Sequence, residues 1–248
     1  MQRVTSAEIL DQGLLSRKEL EGNLNDLWRI NRYLGGVACS RRLLGRFFER
    51  APKRKLRVLE VGAGDGRLAA LLRRDLDRKG ITAEFVVLDR RIDHLLAGRP
   101  GAAGLHPVVA DALSLPFAEG SFDLATCNLL FHHFSGGEAL AMLRGLAAMV
   151  RGAVLINDLE RHWLAYLFVR FAPWFWHERV SRLDGIASVR QAYTRPELEV
   201  IAKAAGFTDF EVHRIAPYRL GLVLWKSPAN IVPADDRFTA TEFSGGTI

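Results

Sequence analysis

Three glycines at alternate positions, Gly62, Gly64 and Gly66, close a short apolar run that contains Val58, Leu59, Glu60 and Val61. Glycine lets a backbone approach a ligand closely and take positive φ without a Cβ clash, which suits a nucleotide-like molecule. A tight strand-to-helix turn with no ligand uses the same residues, so the turn alone decides nothing. Two carboxylates narrow the choice. Asp89 closes a second apolar run, where an acidic side chain can accept both ribose hydroxyls, and Asp111 closes a third, where it can accept from an adenine amine. A helix N-cap is the other role open to each. Beyond a fourth run ending at Asn128, His132 and His133 stand side by side. Histidine, with a reference pKa of about 6.5, can take a proton from a phenol, although capping a helix or binding a backbone group is the plainer use. Past a fifth run, Asp158 and His162 compete for the same task.

Holding these groups together requires strands alternating with helices. Residues 55–61, 83–88, 106–110, 122–127 and 152–157 have the continuous apolar character of buried parallel strands. Residues 67–79 and 138–149 carry apolar positions at helical spacing, and a short helix follows the second strand. This alternation predicts a parallel sheet whose ligand lies beyond the carboxyl ends of the strands. Residues 194–205 are predicted to be a helix capped by Thr194, with Pro196 early, Glu197 completing a capping box and Gly206 ending it. Residues 207–215 and 219–226 then form an antiparallel hairpin, giving seven strands in all. Two or three helices, broken at Gly35-Gly36, are predicted between residues 10 and 50, and the polar stretch from residue 227 is predicted to be a mobile tail.

The 248 residues are 49% hydrophobic and 25% charged, ordinary values for a folded globular chain. The net charge of +6 thickens at Arg41, Arg42, Arg46, Arg50, Lys53, Arg54, Lys55 and Arg57, a run that suits either a solvated helix face or an anionic partner. Cys39 and Cys127 lie far apart with no metal-ligand spacing, so neither a disulfide framework nor a metal site is expected. The first residues show no signal-peptide pattern, which predicts a cytoplasmic protein. The stretch from Trp163 to Trp176 is strongly apolar but is interrupted by Arg170 and Pro173 and is shorter than the ~20 residues of a spanning helix. It can wall a pocket or rest on a membrane surface.

With these features in place, residues 56–226 resemble the class I S-adenosylmethionine (SAM)-dependent methyltransferases. The terminal antiparallel hairpin is shared with that family and absent from dinucleotide dehydrogenases. The stretch from Asp111 to Phe134, with its D-A-x-x-L-P-F run, S-F-D and paired histidines, is similar to the ubiquinone- and menaquinone-biosynthesis branch. Residues 31–36 and 184–190 further resemble small-molecule methyltransferases that accompany type III polyketide synthases. The resemblance implies a Rossmann-like α/β fold with N-terminal helices (residues 1–54), a methyltransferase domain (55–226) carrying an aromatic helical lid (159–192), and a tail (227–248). It implies SAM as cofactor, with Glu60, Gly62, Gly64 and Asp65 around the methionyl part, Asp89 on the ribose, Asp111 and Ala112 at the adenine and Asn128 near the sulfonium. Arg90 either stacks on adenine or points to solvent. His132 or His133 would act as base, and Asp158, His162, Trp163 and Tyr166 would face the acceptor. The expected reaction is O-methylation of a phenolic or quinol hydroxyl on a hydrophobic small molecule. Alternatives are C- or N-methylation, methylation of RNA or protein suggested by the basic run, and a SAM-binding scaffold without turnover. No RNA-binding module is visible, so no nucleic-acid partner is expected.

Overall fold

In the computed structural model, which describes residues 1–6, 8–10, 15–98 and 104–226, the apolar runs become strands. They are β1 (Lys55–Val61), β2 (Thr82–Asp89), β3 (Leu105–Val109), β4 (Phe122–Asn128), β5 (Val150–Leu159), β6 (Phe210–Ile215) and β7 (Arg219–Trp225). The predicted tail from residue 227 lies outside the described residues. The strands form one sheet in the order β3-β2-β1-β4-β5-β7-β6. The first five pair in parallel, and β7 runs antiparallel to both β5 and β6. Strand order reverses at β1, between β2 and β4, and a crevice opens at the carboxyl end of such a reversal.

Among the described residues there are eight α-helices: α1 (Arg17–Tyr33), α2 (Gly36–Arg50), α3 (Arg67–Asp77), α4 (Ile92–Ala97), α5 (Gly136–Met149), α6 (Trp163–Phe171), α7 (Arg179–Gln191) and α8 (Arg195–Ala204). Each of the central helices offers an apolar stripe. Met142, Leu143 and Leu146 of α5 and Leu198 of α8 fill one face of the sheet. Leu43 and Phe47 of α2 join Leu68 and Leu72 of α3 on the other, where Phe47 stacks on Trp225 with centroids 6.3 Å apart. Burying each such side chain contributes roughly 1.5–3 kcal/mol. No helix among the described residues is long and apolar enough to cross a membrane.

Helix ends follow the local chemistry. Ser16 and Glu19 cap α1 reciprocally, and at α8 both the Thr194 backbone N–H and its hydroxyl donate to Glu197. Most boundaries shift by a residue or two from the predicted ones, and two of the shifts have a clear cause. β5 runs on to Leu159, because antiparallel pairing with β7 continues through Leu159 opposite Arg219. β6 begins at Phe210 rather than residue 207, because the Phe207 N–H is used to close the end of α8 on the Ala202 carbonyl.

The turn between α1 and α2 is fastened to the sheet by a buried cation. Arg219 is 0% exposed, and burial holds its pKa below the ordinary guanidinium value. Its guanidinium donates to the Leu34 carbonyl at 3.3 Å and to Asn31 Oδ1 at 3.3 Å, and lies 3.5 Å from Asn157 Oδ1. Asn157 in turn donates to the Gly36 carbonyl and to Ser40. Replacing Arg219 by leucine leaves these acceptors buried without donors and is expected to cost about 3 kcal/mol, measurable as a lower urea midpoint.

Candidate functional site

A cavity of about 1100 Å³ opens at the carboxyl ends of the parallel strands. The glycine turn forms part of its wall. Gly62 and Ala63 donate backbone N–H groups to the Leu88 carbonyl at 2.8 and 3.0 Å, so the turn is tied to the end of β2. Gly62 has φ +69°, and a Cβ there would sit 2.6 Å from Leu130, so position and conformation both demand glycine. The Gly64 N–H donates to Asp89 Oδ2 at 2.9 Å, while Asp89 Oδ1 accepts from the Arg91 N–H at 3.0 Å. An ionised carboxylate has about four acceptor sites, so Asp89 can hold the turn and still accept from a ligand. His94, which the sequence reading passed over, places Nδ1 3.3 Å from Asp89 and leaves a buried Nε2 without a protein partner on the cavity wall.

Every residue expected around the cofactor lines this cavity: Glu60, Gly62, Gly64, Asp65, Asp89, Arg90, Asp111, Ala112 and Asn128. Asp65 accepts from the Arg67 N–H in the turn that leads into α3, and Asp111 accepts from the Leu113 N–H in a turn after β3. Arg90 is exposed at the rim. Among these nine residues two buried oxygens lack protein partners, Glu60 Oε2 and Asn128 Oδ1. Burial, reinforced by the nearby Asp65 charge, pushes the Glu60 carboxyl from an ordinary 4.5 up to about 8. A ligand ammonium would partner that oxygen and restore the charge. SAM, with an ammonium, a ribose diol and an adenine, therefore fits the residues present.

Leu129, with φ +52°, turns the chain sharply after Asn128 and delivers the two histidines. His132 is 2% exposed. Its backbone N–H donates to Asp158 Oδ2 at 2.9 Å, and its Nδ1 lies 2.7 Å from Asp158 Oδ1. On the other side Nε2 lies 3.4 Å from a Glu8 oxygen, an ion-pair distance without hydrogen-bond alignment. Burial alone would lower the His132 pKa, but the Asp158 and Glu8 carboxylates overcome it and raise it from 6.5 to about 10. Burial likewise opposes charge on Asp158, and the imidazolium beside it overcomes this and holds its pKa below 3.8. His133 packs against His132 with ring centroids 4.4 Å apart and places Nε2 3.7 Å from the second Glu8 oxygen.

Glu8 was invisible in the sequence reading. It stands alone in a polar stretch, and only the fold carries it to the histidines. It accepts from the Ser188 hydroxyl at 2.5 Å, while Asp184 accepts the backbone N–H groups of Ile9 and Leu10. Arg3 donates to the carbonyls of His132 and Phe134. The N-terminal segment thus lies across the site, strapped to α7. Glu8, His132 and His133 bring three ligand-type atoms within 4.8 Å of one another and could share a cation.

The four residues expected at the acceptor lie outside the cavity wall. Asp158 is sealed beneath His132. His162 caps α6 by accepting from the Leu164 N–H, and its ring stacks on Tyr218 at 4.6 Å. Trp163 is 57% exposed, and Tyr166 packs beside Ala165, Val169 and Val189 in the small core between α6 and α7. Helical spacing turns Ala165, Phe168 and Val169 to the cavity instead. Its apolar half is completed by Leu24, Leu27 and Trp28 of α1 and by Trp176. Cys39 and Cys127 are both buried; burial raises Cys39 to about 12 and Cys127 well above an ordinary thiol, so neither is a nucleophile.

With this geometry established, similarity to known proteins can be placed on it. Residues 58–152 match the methyltransferase domain family, the segment from the glycine turn to β5. The chain is 31% identical over 167 residues to the malonyl-[acyl-carrier protein] O-methyltransferase of Methylococcus capsulatus, covering 63% of this chain and 53% of that protein. It is 41% identical over 84 residues to the ubiquinone/menaquinone biosynthesis C-methyltransferase UbiE of Dinoroseobacter shibae, covering 32% of each. The chain thus spans about half of the first relative and a third of the second. Among solved structures, the plantazolicin methyltransferase BpumL superposes with a TM-score of 0.64 over 88% of this chain and 99% of that one, at 12% identity. The fold is that of the class I methyltransferases, as the strand order and terminal hairpin required.

Two outcomes follow for the methyltransferase domain. Because Glu60 keeps a proton in the folded state that the unfolded chain releases, its burial destabilises increasingly between pH 4.5 and about 8. Glu60→Gln is therefore expected to raise the melting temperature, by a margin that widens across that window, while weakening S-adenosylhomocysteine by about tenfold or more in calorimetry. His132 has the opposite sign. Its raised pKa contributes stability that is full below 6.5 and lost as pH climbs through about 10. His132→Gln should melt well below the wild type at neutral pH, with the gap closing above about pH 10; a gap independent of pH would show that His132 is not charged.

Proposed function

We propose that this chain transfers a methyl group from SAM to a phenolic or quinol-like hydroxyl on an apolar small molecule. The reading is carried by the cavity, which joins the polar strand tips to an apolar chamber and has Glu8, His132 and His133 on the same wall. Its volume of about 1100 Å³ is slightly above the ~300–1,000 Å³ typical of a single small-molecule site, in keeping with two ligands. SAM, when bound, supplies a methyl group on a sulfonium that needs no further activation to leave. The protein's task is to align the acceptor and take its proton.

His133 is the base in this reading. It lines the cavity, and Glu8 lies 3.7 Å from its Nε2, where the carboxylate steadies the imidazolium formed on proton uptake. His132, carrying a proton and pinned by Asp158, has no free site to accept another and serves to hold Glu8 in place. One relative is named for oxygen and another for carbon methylation. A histidine backed by a carboxylate can take the hydroxyl proton that oxygen methylation of a phenol releases.

Methylation of RNA gains no support from the basic run. Arg41 pairs with Asp75, Arg46 with Glu211, Arg50 with Asp209 and Lys53 with Asp123, so much of its charge is spent inside the protein. The deciding assay incubates the full chain with methyl-labelled SAM and a series of alkylphenols and alkylresorcinols, locating the label by fragmentation. Transfer to oxygen is expected; no transfer to any of the series would refute the assignment. His133→Asn should lower turnover by about 10²-fold or more with S-adenosylhomocysteine affinity within about twofold of wild type.

A further inference from the structure

We infer that the outer face of α6 and the turn after it is a docking surface for an anionic lipid layer, placed where the apolar chamber meets the protein surface. At ~100° per residue, Trp163, Leu164, Leu167, Phe168 and Phe171 fall within an arc of roughly 140°. All five are exposed, while Ala165 and Val169 on the opposite side are buried. Trp174 in the following turn is 81% exposed and Phe171 62%. Ring contacts between Phe168 and Phe175 and between Phe175 and Trp176 fix this turn against the helix, so the exposed side chains make one continuous face. Exposed apolar residues usually occur singly, and a contiguous patch marks a surface that something covers.

Two observations identify the occupant. The first is charge. Between residues 159 and 192 the exposed arginines are Arg170, Arg179 and Arg190, whereas Glu160 and Asp184 are buried and Glu178 is half-buried. An exposed aromatic face with Arg170 beside Phe171, in a segment that carries further exposed arginines and no exposed acid, matches an interface of acyl chains beneath anionic headgroups. The second is continuity with the cavity. Phe168 is 39% exposed and also lines the chamber, with Ala165, Val169 and Trp176 beside it. A molecule dissolved in a lipid layer under α6 would reach the chamber along an unbroken apolar wall. The surface is present whether or not the methyl acceptor is the one proposed above, so the two readings can fail separately.

The test is co-sedimentation of the full chain with vesicles of phosphatidylcholine alone and of phosphatidylcholine containing about one third phosphatidylglycerol. Binding to the anionic vesicles is expected to exceed binding to the neutral ones by about tenfold and to weaken with salt. The triple variant Leu167→Ser, Phe171→Ser, Trp174→Ser should lose about tenfold or more of that binding while keeping wild-type S-adenosylhomocysteine affinity, which shows that it folds. Arg170→Gln with Arg179→Gln should remove most of the preference for anionic lipid. Absence of vesicle binding, or equal binding by the triple variant, overturns the proposal. So does concentration-dependent dimerisation of the wild type that the triple variant abolishes, since a second copy would then cover the face.

Discussion

A carboxylate and an imidazolium buried together at the end of β5 anchor the organisation of the cavity. Asp158 is charged because His132 is, and His132 keeps its proton because Asp158 and Glu8 flank it. Neither ion is viable alone when buried this deeply, where removing one partner of such a pair typically costs about 3–5 kcal/mol. The pair therefore constrains its surroundings. It fixes the loop after β4, because the His132 backbone also donates to Asp158. On the other side of the imidazole stands a second carboxylate, Glu8, from the chain's N-terminal segment, and Ser188 and Asp184 of α7 secure that segment in turn. Strand, loop, strap and lid helix are thus connected through one balance of buried charge.

The cofactor end follows a different rule. Its polar groups project from strand tips that the sheet holds rigidly, and hydrogen bonds from the glycine turn to Leu88 and Asp89 fix their spacing before any ligand arrives. Glu60 shows what this preparation costs. A buried carboxyl with an unpartnered oxygen is unfavourable in the free protein, and the penalty is relieved only by a cation placed where the ammonium of SAM would lie. Stability is sacrificed at the point where selectivity for a charged ligand is gained.

How far the amino-acid order reveals this depends on the range of the forces involved. β1 was legible to the residue, because consecutive apolar side chains followed by glycines have few other solutions. The strand tips came with it, and so Glu60, Asp89, Asp111 and Asn128 could be grouped by counting along the alternation of elements. The acceptor side could not be read this way. Which face of α6 turns inward depends on its packing against α7, and that rotation puts Phe168 on the chamber and leaves Trp163 in solvent. Asp158 was recognisable as a polar residue near the end of a strand, but the imidazole that covers it belongs to a loop far away in sequence. Glu8 gave no local sign, since its role exists only after two distant helices have packed. Arg219 was hidden for the same reason: nothing in a β-strand pattern marks an arginine that will be wholly enclosed.

The cavity is assembled from separate lengths of chain. Most of its polar end comes from residues between Glu60 and Phe134, whereas its apolar end is supplied chiefly by Leu24, Leu27 and Trp28 of α1 and by residues of the insertion between β5 and α8. Descent with modification can therefore reshape one end while leaving the other intact. Substitutions in the leading segment and in the insertion alter the contour and greasiness of the chamber without disturbing the glycine turn. A lineage built this way can diversify the molecules it handles while keeping a single source of reactive groups.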